Sequence, residues 1–131
     1  MSVHKYNSWG RTRRPKPATG TDGGNVANAA DLATLNALGD PTGTDTTNGV
    51  YQTENQRYMH LACSGSSTVS NVWVYSHAIG TWTELTTVKP SDGDLLSVAV
   101  GNNEYRIVDI NGADYVAAKI TGTVRMAFST F

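Results

Sequence analysis

The chain has one cysteine, Cys63 in "YMHLACSG", and a lone cysteine excludes a disulfide framework within the chain. It reads instead as a small buried core residue. Long apolar runs are also missing, since no stretch approaches the ~20 consecutive apolar residues of a spanning helix, and no membrane contact is expected. The opening "MSVHKYNSWGRTRRPKP" is polar and basic and resembles no signal peptide. The expectation is a protein made in a reducing cytoplasm and kept there until whatever it joins leaves the cell. Charged residues make up only 16% and runs of helix formers are absent, which argues against a helical protein. What is plentiful is Gly, Thr, Ser, Asn and Val, a composition of strands and turns. At 131 residues there is length for one domain with its own core, and two full domains are not expected.

Net charge is −1, but the total hides a split. Residues 1–16 carry Lys5, Arg11, Arg13, Arg14 and Lys16 and no acid, so the remaining 5 bases stand against all 11 acids. A basic arm precedes an acidic body. Residues 1–24 also hold the two prolines of "RRPKP" and show no apolar periodicity, the pattern of an extended arm that orders only when docked. Within it Val3, Tyr6 and Trp9 recur at three-residue spacing. An arm with no partner has little use for a Tyr and a Trp, so Tyr6, Trp9, Arg11, Arg13, Arg14 and Lys16 are the candidate partner-binding residues.

Residues 25–49 form a connector, either a short helix or a loop. In "NVANAADLATLNALGDPTG", Asn28 is placed to cap a helix carrying Leu32, Leu35 and Leu38, which Gly39 and Asp40-Pro41 terminate. Asn, Thr and Gly here suit an extended path as well. From residue 50 to 131 the chain reads as about eight strands: "VYQT", "RYMHLAC", "TVSNVWVYS", "TWTELTTV", "LLSVAV", "EYRIVDI", "DYVAAKI" and "TVRMAFSTF". Asn111-Gly112 between two of these is a two-residue hairpin signal that favours positive φ at both positions.

Short strands with tight turns point to an all-β protein built as an antiparallel β-sandwich, with a jelly roll the best fit. Alternation puts Val72 and Val74 on one face of their strand and Trp73 and Tyr75 on the other. Val116, Ala118 and Ile120 share a face, as do Val124, Met126 and Phe128.

Catalytic constellations are absent from the motifs. "GTDGG" lacks the spacing and the lysine of a phosphate loop, and "CSGSS" lacks the second glycine of a nucleophile elbow. His4, His60 and His77 lie on three different segments, with no pair at ligand spacing. Asp92 and Asp94 in "SDGD" sit in a turn without the twelve-residue calcium pattern, and nothing brings Glu54, Glu84 and Glu104 together as acid and base. The reading is a protein that is not an enzyme and needs no cofactor or metal. Trp73, Tyr75 and Trp82 on two strands flanking the His77–Gly80 loop form either an aromatic strip of the kind that stacks on sugars or, the favoured reading, core packing. Nucleic acid ranks last as a partner, because the body behind the basic arm is acidic.

The runs "YMHLACSGSSTVSNVWVYSHAIGTWTELTTV" and "NEYRIVDINGADYVAAKITGTVRMAFSTF" carry a resemblance. Val72, Val74, Tyr75, Gly80, Thr81, Trp82 and Leu85 match a "V-x-V-Y … G-T-W-x-x-L" hairpin, and Arg106 and "GADYV" at 112–116 match a later strand and turn. Residues 57–131 thereby resemble the jelly-roll cement or head-decoration proteins of tailed bacteriophages, a pattern that recurs in phage fibre and tail-tip domains. The resemblance implies a virion structural protein, a homotrimer on the capsid exterior that binds the major capsid protein where capsomers meet. It implies no catalytic residues. The alternative it leaves open is a fibre or tail-tip module recognising a host surface glycan.

Overall fold

The computed structural model describes residues 14–130. Ten strands and one short helix follow one another as β1 (Lys16–Pro17), α1 (Leu32–Ala37), β2 (Val50–Gln52), β3 (Tyr58–Cys63), β4 (Thr68–Tyr75), β5 (Trp82–Glu84), β6 (Thr86–Val88), β7 (Leu95–Ser97), β8 (Tyr105–Asp109), β9 (Tyr115–Thr121) and β10 (Val124–Ser129). They form a four-stranded sheet in the order β1-β10-β3-β8, a second in the order β2-β9-β4-β5, and a two-stranded β6-β7 ribbon. The antiparallel pairs β1·β10, β2·β9, β3·β8 and β4·β5 nest inside one another like the rungs of a single folded hairpin. Two further pairings, β10·β3 and β9·β4, join these rungs into the two sheets. That nesting is the jelly-roll topology, with the ribbon inserted between its fifth and sixth strands.

The alternation seen in the sequence places the core. Val72, Val116, Ala118, Val124, Met126 and Phe128 point between the sheets, against Met59, Leu61 and Val108. The opposite face of the second sheet is apolar as well: Trp73, Tyr75, Trp82, Tyr115 and Ala117 form a separate buried cluster with Val50. Residues 25–49 cover that face, contributing Ala29, Leu32 and Leu35 to the cluster. The connector is therefore a third layer of the fold. Its backbone stitches the two sheets together, since Val26 N–H bonds to Val124 C=O and Ala29 N–H to Ala118 C=O, both at 2.9 Å. Gly49 is where this layer lies closest: at φ 71°, a Cβ there would sit 2.8 Å from the backbone of 27–29.

Four expectations need correction. The helix cap is Asp31, whose carboxylate accepts the Thr34 N–H at 2.7 Å and is thereby held below the usual carboxylate range, while Asn28 instead accepts the Ile120 N–H through its side chain. "TWTELTTV" is two strands in different sheets, because at Leu85 the N–H still bonds to Val72 before the chain leaves β4 for the ribbon. Asn111-Gly112 makes a crossover between sheets, with positive φ only at Gly112 and the Ala113 N–H closing on Ile110 C=O. Such a turn is of type II, which serves a crossover as readily as a hairpin. The sandwich also begins earlier than residue 50, because Lys16–Pro17 is its first strand. The residues read as arm up to 24 belong in part to the body.

Candidate functional site

Residue types that carry chemistry are scattered by this fold. Glu54 pairs with Lys16, Glu84 accepts from Asn71 at 2.9 Å and Ser97 at 2.5 Å, and Glu104 accepts the Gly101 N–H at 2.5 Å, three separate places. Asp92 pairs with Lys89 at 3.3 Å and accepts the Asp94 N–H at 3.0 Å within its own turn. Among the described residues no group of three or more His, Cys, Asp or Glu is placed to hold a metal ion. Burial pushes the Cys63 thiol up, away from the reactive thiolate.

One hydrogen-bonded trio has the order of a nucleophile, a base and an orienting group. Ser129 Oγ lies 2.7 Å from His60 Nε2, and His60 Nδ1 meets the Tyr105 hydroxyl. Ser129, however, is 2% exposed, which leaves no route for a substrate to its hydroxyl. The trio ties β10, β3 and β8 together across the outer face of their sheet. Burial holds the His60 pKa below its ordinary 6.5. As pH falls through that value the unfolded chain takes up the proton before the folded one, so this part of the stability is complete above pH 6.5 and is lost toward the lower folded pKa. Urea unfolding at pH 7.5 and 5.0 is expected to show a larger drop for the native chain than for His60→Gln, at most about 1.4 kcal/mol per pH unit for one proton. Equal drops in the two proteins rule out His60 as the source.

The aromatic strip does not form. Trp73, Tyr75 and Trp82 are 5%, 2% and 3% exposed, covered by the 25–49 layer. Register pairs Tyr75 with Trp82 and sets their rings 5.7 Å apart, while Asn36 of α1 accepts the Trp82 backbone N–H at 2.9 Å. The Tyr75 hydroxyl donates to Asp40 at 2.7 Å, and that bond, with burial and the Asp40 charge, pushes its pKa up to about 12.

Of the arm residues, Tyr6, Trp9, Arg11 and Arg13 lie outside the described residues. Arg14 is paired with Asp22 at 2.5 Å and Lys16 with Glu54, both pairs exposed at the root of the arm. Arg14 borders a cavity of about 230 Å³ on the outer face of the first sheet, floored by Pro17, Ala62 and Ala127 and walled by His60 and Tyr105. Among the described residues no layer covers this face as 25–49 covers the second sheet. Beside the cavity the β8 edge exposes Tyr105 (61%) and Ile107 (54%), which the motif search passed over. The signal was present in "EYRIVDI": Tyr105 and Ile107 on one face and Val108 and Ile110 near the other leave no wholly polar side.

The chain matches no family model and no curated protein. Among solved structures it is similar to the SPBc2 prophage-derived protein YomS, at 26% identity over 61% of this chain and 75% of that one, with a TM-score of 0.39. A TM-score at that level does not establish a common fold.

Proposed function

We propose that the chain is a virion structural protein of the cement type, an oligomer and by resemblance a homotrimer. In this reading it sits on the capsid exterior and strengthens contacts between capsomers of the major capsid protein. The carrying observation is where the arm starts. β1 enters the first sheet opposite Phe128, near the chain's C-terminal end, so the thirteen residues before Arg14 begin at a corner of the sandwich. Fully extended they reach at most about 43–47 Å, enough to pass from one copy to a neighbour. They carry Tyr6, Trp9, Arg11 and Arg13, and residues 17–131 hold every acid in the chain. Opposite charge guides such a contact and two aromatic anchors hold it.

The glycan alternative is weakened, because the three aromatics offered as its stacking platform are interior. A cement protein works by mass action: binding only the assembled shell stabilises that shell, and many symmetric copies multiply a modest contact. Co-sedimentation with emptied and filled tailed-phage capsids tests the proposal. The full chain is expected to pellet with both, and a chain beginning at Arg14 to bind at least about tenfold more weakly. Full-length protein that stays in the supernatant overturns the capsid reading and sends the search to glycan arrays.

A further inference from the structure

Each four-stranded sheet presents two edge strands, and unprotected edges invite pairing. Three of the four here are blunted. β1 is two residues long, and Pro17 has no N–H to offer. β2 is capped by residues 44–45, since Asp45 and Val50 exchange N–H to C=O bonds at 2.8 and 2.9 Å and the Gln52 N–H reaches Thr44 Oγ1 at 3.2 Å. β5 is capped by α1 through the Trp82 N–H to Asn36 bond.

The fourth edge, β8, has no such device among the described residues. On one side it pairs with β3, and on the other it has no strand among the described residues. The Cys63 N–H bonds to Glu104 C=O and the Ile110 N–H to Arg57 C=O. By the antiparallel alternation, Glu104, Arg106, Val108 and Ile110 turn their backbone groups toward β3. Tyr105, Ile107 and Asp109 turn theirs outward. No Lys, Pro or bulge interrupts the edge, and Tyr105 and Ile107 are more than half exposed. Arg106 braces it from behind, donating to Ala99 C=O at 3.1 Å.

From this we infer that β8 is a self-association edge: two copies pair antiparallel through their β8 strands about a two-fold axis at Ile107, making one continuous eight-stranded sheet. The second copy is the occupant because the edge is complementary to itself. Only residues 105, 107 and 109 face outward, and reversing the strand about Ile107 sets Ile107 on its own mate and Tyr105 on Asp109 of the other copy. Every outward N–H and C=O then finds a partner. No like charges meet, since Tyr105 stands opposite Asp109, whose carboxylate is already paired with Arg57 at 3.4 Å. Five residues a side bury less than the ~1,200 Å² of a standard interface, so the free pair is weak, and it gains strength where copies are held close together. The inference is independent of the capsid reading. A two-fold contact of this kind adds to any threefold association and joins one oligomer to the next.

Cysteine cross-linking of the full chain tests both the contact and its register. Directly paired residues in such a ladder have Cα atoms about 5.5 Å apart, within disulfide range. Ile107→Cys is therefore expected to give a covalent dimer under mild oxidation. Asp109→Cys, about 13 Å from its own counterpart at 3.3 Å per residue, is expected to give none. Cys63 is buried and leaves the native chain as a clean control. Sedimentation velocity up to about 1 mM is expected to show reversible dimers that Ile107→Lys weakens at least tenfold with an unchanged circular dichroism spectrum. Lysine at an exposed edge position leaves the β3 ladder intact, so the fold is retained. A native chain that is monomeric throughout, an uncross-linked Ile107→Cys, or equal cross-linking of both cysteine variants each overturns the inference, the first in favour of a foreign strand.

Discussion

Replacing Trp82 by alanine is expected to cost about 3–5 kcal/mol of folding stability, the usual range for emptying a buried tryptophan site. The side chain stands at the start of β5, 3% exposed, against Tyr75 and beneath α1. Its loss also loosens the layer that hides the outer face of the second sheet, because the neighbouring Asn36 contact holds α1 to the edge of β5. For a domain whose whole stability is on the order of 5–15 kcal/mol, that is a large share. Urea unfolding with a clearly lower midpoint and an unchanged slope is the expected result. A tryptophan serving as an exposed platform behaves oppositely: the midpoint stays and a sugar affinity disappears. A midpoint within 1 kcal/mol of the native chain contradicts the packing described above.

That substitution falls where sequence reading reached furthest and then stopped. Alternation in "NVWVY" separated Val72 and Val74 from Trp73 and Tyr75 correctly, because a strand's side-chain period is fixed by its backbone. It carried no information on what lies over the second face. The cover is a six-residue helix with loops on either side, held by contacts to strands many residues away, such as Asn28 to Ile120. The same limit appears at Leu85, where the run of β-prone residues continues unbroken while the pairing partner changes. Asn111-Gly112 shows it again, since a turn's local chemistry does not say whether the two strands it joins lie in one sheet. The β8 edge was half legible. Its two apolar faces are written in "EYRIVDI", but that it ends a sheet follows from topology alone.

The unprotected edge and the arm share a physical logic with the covered faces. At three places where this fold would leave backbone or apolar surface open, a local device closes it: Asn36 at β5, residues 44–45 at β2, the connector over the second sheet. Among the described residues the outer face of the first sheet with its β8 edge has no such device, and the β6-β7 ribbon also leaves Val88, Leu95 and Leu96 exposed. On the association inferred above, a neighbouring copy supplies the missing contact at β8. An assembly protein needs such features, and a protein working alone has reason to avoid them.

The boundary of the arm gives the second large effect. A chain beginning at Gly24 is expected to unfold about 2–4 kcal/mol more easily than one beginning at Arg14, although both lack the residues proposed to dock on a neighbour. β1 carries no hydrophobic signature, being only Lys16 and Pro17, yet it covers β10. The Ala18 N–H bonds to Met126 C=O at 2.9 Å, which turns Lys16 and Ala18 toward β10 and Pro17 outward, where a missing N–H costs nothing. Removing residues 14–23 leaves the β10 backbone groups opposite Lys16 and Ala18 unpaired, at roughly 1 kcal/mol each, and uncovers the core that Ala18 packs against. It also deletes one of the eight jelly-roll strands. The chain beginning at Arg14 keeps all of this, and its midpoint against that of the full chain reads what residues 1–13 add to the body. Urea midpoints of the three chains decide it. Equal midpoints for the Arg14 and Gly24 starts mean that β1 contributes nothing to the sandwich. A midpoint that already falls with the Arg14 start means that residues 1–13 help hold the body of the same copy, and the capsid experiment then has to separate that role from docking on a neighbour.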